Sequence, residues 1–241
     1  MENMLNGLYI VATPIGNLGD ISARAVKTLE ASKFIICENP NHSKKLLSKL
    51  GIKKKLIPLH DHNEHKIIIG FGEKIKKNIV SLISDAGSPL ISDPGYKLVS
   101  YCIQENIYIT TVPGATAIIS ALQLSGLPLN EFNFLGFSPK SKKGLSDFIQ
   151  NICEEKRTSV FFTSTHKIKS LLDLLVEKLS TRRIAICKEI TKLNEKTFIG
   201  LPNQIIKSIY LNPKNLRGEF VIIVEGKKGN DNMNNKAELI I

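Results

Sequence analysis

Five short apolar runs, LYIVAT (8–13), KFIICE (33–38), LIPL (56–59), IVSLIS (79–84) and IYITTV (107–112), recur along the first half of the chain. Polar stretches with helical periodicity separate them. A strand that is apolar at nearly every position must be covered on both faces, which antiparallel meanders seldom achieve. Strand and helix in this rhythm therefore predict a mostly parallel sheet with helices on both sides. The helices are expected from a cap at Asp20 to about Ser32, then over His42–Leu50, Glu64–Asn78 and Tyr96–Glu105.

The second half is patterned differently. A run of small and aliphatic residues, Gly114–Leu124, reads as a helix and Phe132–Phe137 as a strand, followed by a basic loop, SPKSKKG, over 138–144. Further strands are expected at Thr158–Thr163, Arg183–Lys188, Lys196–Gly200 and Glu219–Glu225, with helices near Thr165–Leu179 and Pro202–Tyr210. Strands that follow one another with short gaps predict a mixed sheet. The expected fold class is thus two-domain α/β: an N-terminal mostly parallel sheet flanked by helices over 1–113, and a C-terminal mixed α/β domain over 114–226. The segment 227–241 has no core pattern and reads as a loose tail.

The 241 residues suffice for two such domains. No apolar run has the length of a membrane span, and MENMLNGLYIVAT lacks the basic segment of a signal peptide, so a cytoplasmic protein is expected. The four cysteines, Cys37, Cys102, Cys153 and Cys187, are scattered without metal-ligand spacing, which predicts buried thiols and no metal. A net charge of +11 favours polyanionic partners such as RNA, although Lys and Asn are abundant throughout.

Ligands of open parallel sheets collect at the carboxyl ends of strands. Four loops fall there: TPIGNLGD (13–20), ENPNH (38–42), SDAGSPLISDPG (84–95) and VPGAT (112–116). None has the spacing of a phosphate-binding P-loop or a dinucleotide fingerprint. The third carries Asp85 and Asp93 and no cation, so it would repel phosphate. Carboxylates suit a ligand with a ribose diol, an amine and a positive charge, which describes S-adenosylmethionine. The same Asp residues also suit turns and helix caps.

The stretches LYIVATPIGNLGDIS (8–22), LHDHNE (59–64), SDAGSPLISDPGYKLV (84–99), VPGATA (112–117), GFSPKSKKG (136–144), FFTSTHK (161–167), KEITKLNEK (188–196) and RGEFVIIVEG (217–226) resemble the ribosomal branch of the tetrapyrrole methylase superfamily. That branch comprises the small-subunit ribosomal RNA cytidine 2′-O-methyltransferases. The resemblance implies a homodimer that binds S-adenosylmethionine between its two domains and methylates RNA, free or in the assembled small subunit. Carried over onto this sequence, the donor pocket would include Pro14, Asp85, Ala86, Gly87, Ser88, Ile91, Thr116, Ala117 and Phe162. The chain departs from the branch at Asn39-Pro40-Asn41, where Asp-Thr-Arg is usual, at Thr163 in place of Glu and at Lys188 in place of Arg.

A ribose hydroxyl is a weak nucleophile at neutral pH, so a nearby base assists its methylation. Glu38, His42, His60, His62, Asp85 and Glu189 are candidates, with Glu38 or His62 preferred as the catalytic group. Lys140, Lys142 and Lys143 of the basic loop, with Lys167 and Lys192, are the expected RNA contacts, and the Lys-rich helix 64–78 is a further one. Three other readings stay open: a tetrapyrrole or other small-molecule methylase of the same fold, a donor-binding RNA chaperone without catalysis, and a structural RNA-binding module.

Overall fold

Alternate residues along each strand of the first sheet decide which helices lie against it. In the computed structural model, which describes residues 4–228, β1 (Gly7–Val11), β2 (Phe34–Cys37), β3 (Lys55–Pro58), β4 (Ile79–Ile83) and β5 (Ile109–Val112) form one sheet in the order β3-β2-β4-β1-β5. Every neighbouring pair is parallel. Leu8, Phe34, Ile36, Val80 and Leu82 point to one face, where they meet Ile67 and Ile75 of α3 (Glu64–Lys76) and Leu98 and Cys102 of α4 (Tyr96–Gln104). Tyr9, Val11, Ile35, Cys37 and Ile83 point to the other, against Ala25 and Leu29 of α1 (Ala23–Ala31) and Leu47 of α2 (Pro40–Lys49). The period of two in each strand thus produces the two covered faces that its apolar composition demands.

Helix starts follow local capping chemistry. Ser22, rather than the expected Asp20, caps α1 by accepting a hydrogen bond from Ala25 N–H at 3.0 Å, and Asp20 lies in a short 3-10 turn over Leu18–Asp20. Asn39 caps α2, its side-chain oxygen accepting from the N–H groups of Asn41 and His42 at 3.0 and 3.3 Å, and Pro40 takes the first helical position, where its missing N–H costs nothing. The departure at Asn39-Pro40-Asn41 therefore keeps a helix N-terminus intact. An Asn caps a helix about as well as an Asp.

The second sheet runs β6 (Phe132–Phe137), β7 (Thr158–Thr163), β10 (Phe220–Val224), β8 (Ile184–Lys188) and β9 (Lys196–Gly200). Only the β6–β7 pair is parallel, so the sheet is mixed. One face packs Phe161, Ile184, Ile186, Phe220, Ile222 and Val224 against three helices, α6 (Lys142–Glu154), α7 (Ile168–Lys178) and α8 (Pro202–Tyr210). Helix α6 was not expected. Leu145, Ile149 and Ile152 give it an apolar stripe, and Ser141 caps it through Gly144 N–H at 3.1 Å. The expected basic loop is correspondingly short, and Lys142 and Lys143 open the helix.

The described chain divides into two units, one reaching Ser120 and including Glu189–Glu195, the other taking up Ala121–Lys188 and the chain from Lys196. The division falls inside α5 (Ala117–Ser125). Lys227, at the start of the expected tail, donates its N–H to Glu155 O at 2.7 Å and pairs with Glu154 at 2.6 Å. Residues 229–241 of that tail lie outside the described residues.

Candidate functional site

The strand order β2-β4-β1-β5 sets the four expected loops side by side along the carboxyl edge of the first sheet. Two of them are joined through their main chains. Thr13 and Gly87 form an isolated antiparallel bridge, with Thr13 N–H to Gly87 O at 2.9 Å and Gly87 N–H to Thr13 O at 3.1 Å. Gly87 has φ +80, and a Cβ built on it would stand 3.2 Å from Ile15 Cγ2 and 3.6 Å from Ala115 O. Three loops, after β1, β4 and β5, therefore converge on a position that only glycine fills without strain.

The loop after β4 carries two acidic residues, Asp85 and Asp93. Asp85 is partly buried, and its Oδ1 is shielded from solvent with no hydrogen-bond partner. A shielded carboxylate oxygen without a donor is costly unless a ligand supplies one. Glu38, at the end of β2, accepts a hydrogen bond from the backbone N–H of Asp85; burial first, then the charge of Asp85, nonetheless raise its pKa, and His60 acts in the opposite sense. Asp93 is the third member. Burial, then the charges of Glu38 and Asp85, push its carboxyl up to about 6 against a hydrogen bond from Ser84. The Asp93-Pro94-Gly95 turn leads into α4, whose N-cap position is Gly95, without a side chain to cap the helix.

That capping falls to Glu64, a buried residue of α3 whose two carboxylate oxygens accept from Gly95 N–H at 2.5 Å and Lys97 N–H at 2.8 Å. A carboxylate there also meets the positive end of the α4 dipole. It braces a stretch of main chain in which Leu90 (φ 75) and Ser92 (φ 68) are left-handed. Each such residue costs about 1–2 kcal/mol, and strained backbone of this kind clusters at binding sites. Within LHDHNE the sequence offered a cue to Glu64, but its partners are some thirty residues away.

The remaining expected residues are distributed as follows. Pro14, Ser88 and Thr116 are partly buried on the converging loops, as is Ala117 at the first position of α5, and Ala86 and Ile91 are exposed on the loop after β4. His62 is exposed in the turn before α3, its ring stacked on His60 with centroids 5.4 Å apart. Lys192 lies in the Glu189–Glu195 segment, which packs on the first loop: a Cβ on Gly16 would fall 2.4 Å from Lys192 Cγ. Its ammonium pairs with Glu189 at 3.2 Å. In the other unit, Phe162 packs against Phe134 and Phe137 with centroids 5.2 and 5.1 Å away. Thr163, where the branch has Glu, shares a buried hydroxyl contact with Ser138 at 2.8 Å. Lys140, Lys142 and Lys143 are exposed, Lys167 directly precedes α7, and Lys188 is buried at the end of β8. Among the described residues no group of three or more His, Cys, Asp or Glu is arranged to hold a metal ion.

The first unit is thus a parallel sheet whose carboxyl-edge loops carry carboxylates and no phosphate-binding cation, and a mixed α/β unit accompanies it. The chain belongs to the tetrapyrrole (corrin/porphyrin) methylase family, whose sequence model matches residues 7–205. It is 43% identical over 234 residues to a Haemophilus influenzae protein named ribosomal RNA small subunit methyltransferase I, covering 96% of this chain and 83% of that one. A Rickettsia prowazekii protein of the same name is 43% identical over 222 residues, 92% of this chain and 79% of its own. Among solved structures, a uroporphyrin-III-C-methyltransferase from Thermus thermophilus superposes with a TM-score of 0.59 at 17% identity, over 91% of this chain and 94% of that one. This last likeness concerns the fold.

Proposed function

We propose that the chain is an S-adenosylmethionine-dependent methyltransferase acting on small-subunit ribosomal RNA, at the ribose 2′-hydroxyl of a cytidine. The observation that carries the choice of RNA is the 43% identity, across 96% of the chain, to a relative named for that substrate. The tetrapyrrole reading rests on fold likeness at 17% identity, too remote to transfer an acceptor.

The first unit fits the methyl donor. Asp85 offers the partnerless Oδ1 to an amine or a ribose hydroxyl. Gly87 lets the three loops close on one another, Pro14, Ala86, Ser88, Ile91, Thr116 and Ala117 lie around it, and Phe162 belongs to the same proposed set. Bound there, S-adenosylmethionine supplies a methyl group on a positively charged sulfur, which the negative charge of Asp85, Glu38 and Asp93 favours. Transfer by in-line displacement depends chiefly on positioning and on exclusion of water. Glu38 is the base that best suits the acceptor hydroxyl, because burial and Asp85 raise its proton affinity. His62 is the second candidate, stacked on the His60 that acts on Glu38.

Lys140, Lys142 and Lys143 gather at the start of α6, where the helix dipole disfavours cations. Such placement suits an external phosphate, which the same helix end attracts. Lys167 is a further phosphate contact, and Lys192 contributes through the pair it shares with Glu189. A cytoplasmic homodimer completes the proposal. Exposed Ile69 on α3 and Tyr96 and Ile103 on α4 offer it apolar surface, and no described helix is long and apolar enough to cross a membrane. The test is incubation with methyl-labelled donor and, separately, small ribosomal subunits, free small-subunit RNA and a porphyrin precursor. Label in the subunit or its RNA is expected. Label in the porphyrin alone would overturn the proposal.

A further inference from the structure

At the opposite edge of the first sheet, the strands begin on a common rung. Leu8 of β1 is paired with Val80 of β4, Val80 with Phe34 of β2 and Phe34 in turn with Lys55 of β3. Directly below that rung the surface has a shallow, open depression whose lining includes Asn6, Lys33, Lys53, Lys54, Lys55 and Asn78 and no acidic residue. Among the described residues no carboxylate forms an ion pair with any of the four lysines. Four like charges gathered on one surface repel one another, and their summed field attracts a polyanion. Lysine ammoniums are mobile point charges with three donors, which suit phosphates without reading sequence.

We infer that this lysine-lined depression is a second RNA-backbone contact, which anchors the substrate at the edge of the sheet remote from the donor loops. The inference rests on the RNA reading above and extends it. β1 has five residues, Gly7–Val11, so the two edges are about 16 Å apart. Phosphates held at the amino edge therefore belong to nucleotides beyond the reacting one, and their contribution is to affinity. The lining spans β1 to β3, three inter-strand spacings or about 14 Å, wide enough for more than one phosphate. Edge-strand lysines also guard against sheet-to-sheet pairing. That role accounts for Lys55 on β3 but not for Lys33, which precedes the interior strand β2.

The test uses the full chain with Lys33, Lys53, Lys54 and Lys55 all changed to Gln, and a second variant with all four changed to Arg. Binding to small ribosomal subunits and to transcribed small-subunit RNA is measured between low and physiological salt, with S-adenosylmethionine affinity as the control of fold. The Gln variant is expected to bind RNA about ten- to a hundredfold more weakly at low salt, with a slope of log K against log salt shallower by about 2–3. The Arg variant should bind as the wild type does. An unchanged slope in the Gln variant would overturn the inference, including the case in which that variant self-associates and the lysines prove to be edge protection. Binding is read separately from turnover. A wild type that binds RNA with this slope yet methylates none would sink the proposed function alone, and a wild type that binds no RNA would sink both.

Discussion

Thr13 and Gly87, on loops after β1 and β4, exchange both of their main-chain hydrogen bonds, at 2.9 and 3.1 Å. This is the join that turns separate turns into one site. A side chain at Gly87 would strain a backbone at φ +80 and press on Ile15 at 3.2 Å. Gly87→Ala is expected to cost about 1–2 kcal/mol of stability and to weaken donor binding at least tenfold. Chemical denaturation and calorimetric titration with S-adenosylmethionine measure the two effects.

Asp85 separates binding from stability. Its Oδ1 has no partner in the chain, and its charge raises the proton affinity of Glu38 and of Asp93. Asp85→Asn should weaken donor binding ten- to a hundredfold while leaving the melting temperature unchanged or higher. A variant that melts earlier and binds normally would assign Asp85 to the fold.

Asp93 makes stability depend on pH in a direction opposite to that of an ion-paired acid. Its carboxyl is raised from 3.8 to about 6, so between these values the folded chain holds more protons than the unfolded one. Stability therefore falls as pH rises through that window, and the penalty is fully present above pH 6. Glu38, raised for the same reasons, adds in the same sense. Allowing for the solvent that reaches Asp93, the loss is about 1–2 kcal/mol. Asp93→Asn should flatten the stability curve between pH 4 and 6, which denaturation across that range would show.

Glu38 and His62 are distinguished by kinetics. With Glu38 as base, Glu38→Gln should lower kcat by about 100-fold or more with donor affinity little changed, and His62→Ala should lower it by less than tenfold. The reverse order would move the role to His62.

Much of the fold around the candidate site could be read from the residues in sequence. The strands and the four loops were legible because an all-apolar strand has few alternatives and Gly, Pro and Asp mark turns. Helix α6 was not, although Leu145, Ile149 and Ile152 carry its period. The lysines ahead of Leu145 oppose the helix dipole and read as loop. Asp93-Pro94-Gly95 was legible as the turn into α4, whereas the nearness of Asp93 to Glu38 depends on the β2–β4 register. The same holds for Glu64, whose cap lies on another element, and for Glu189–Glu195, whose placement on Gly16 depends on contacts far apart in the chain.

Transfer of the methyl group to a ribose hydroxyl of small-subunit RNA leaves a chemical signature. Small subunits labelled by the enzyme and methyl-labelled S-adenosylmethionine are digested with alkali, which cannot cleave beside a 2′-O-methyl ribose. Label is expected only in an alkali-resistant dinucleotide that begins with cytidine, and none with Asp85→Asn at limiting donor. Label released as single nucleotides carrying a methylated base would contradict transfer to the ribose.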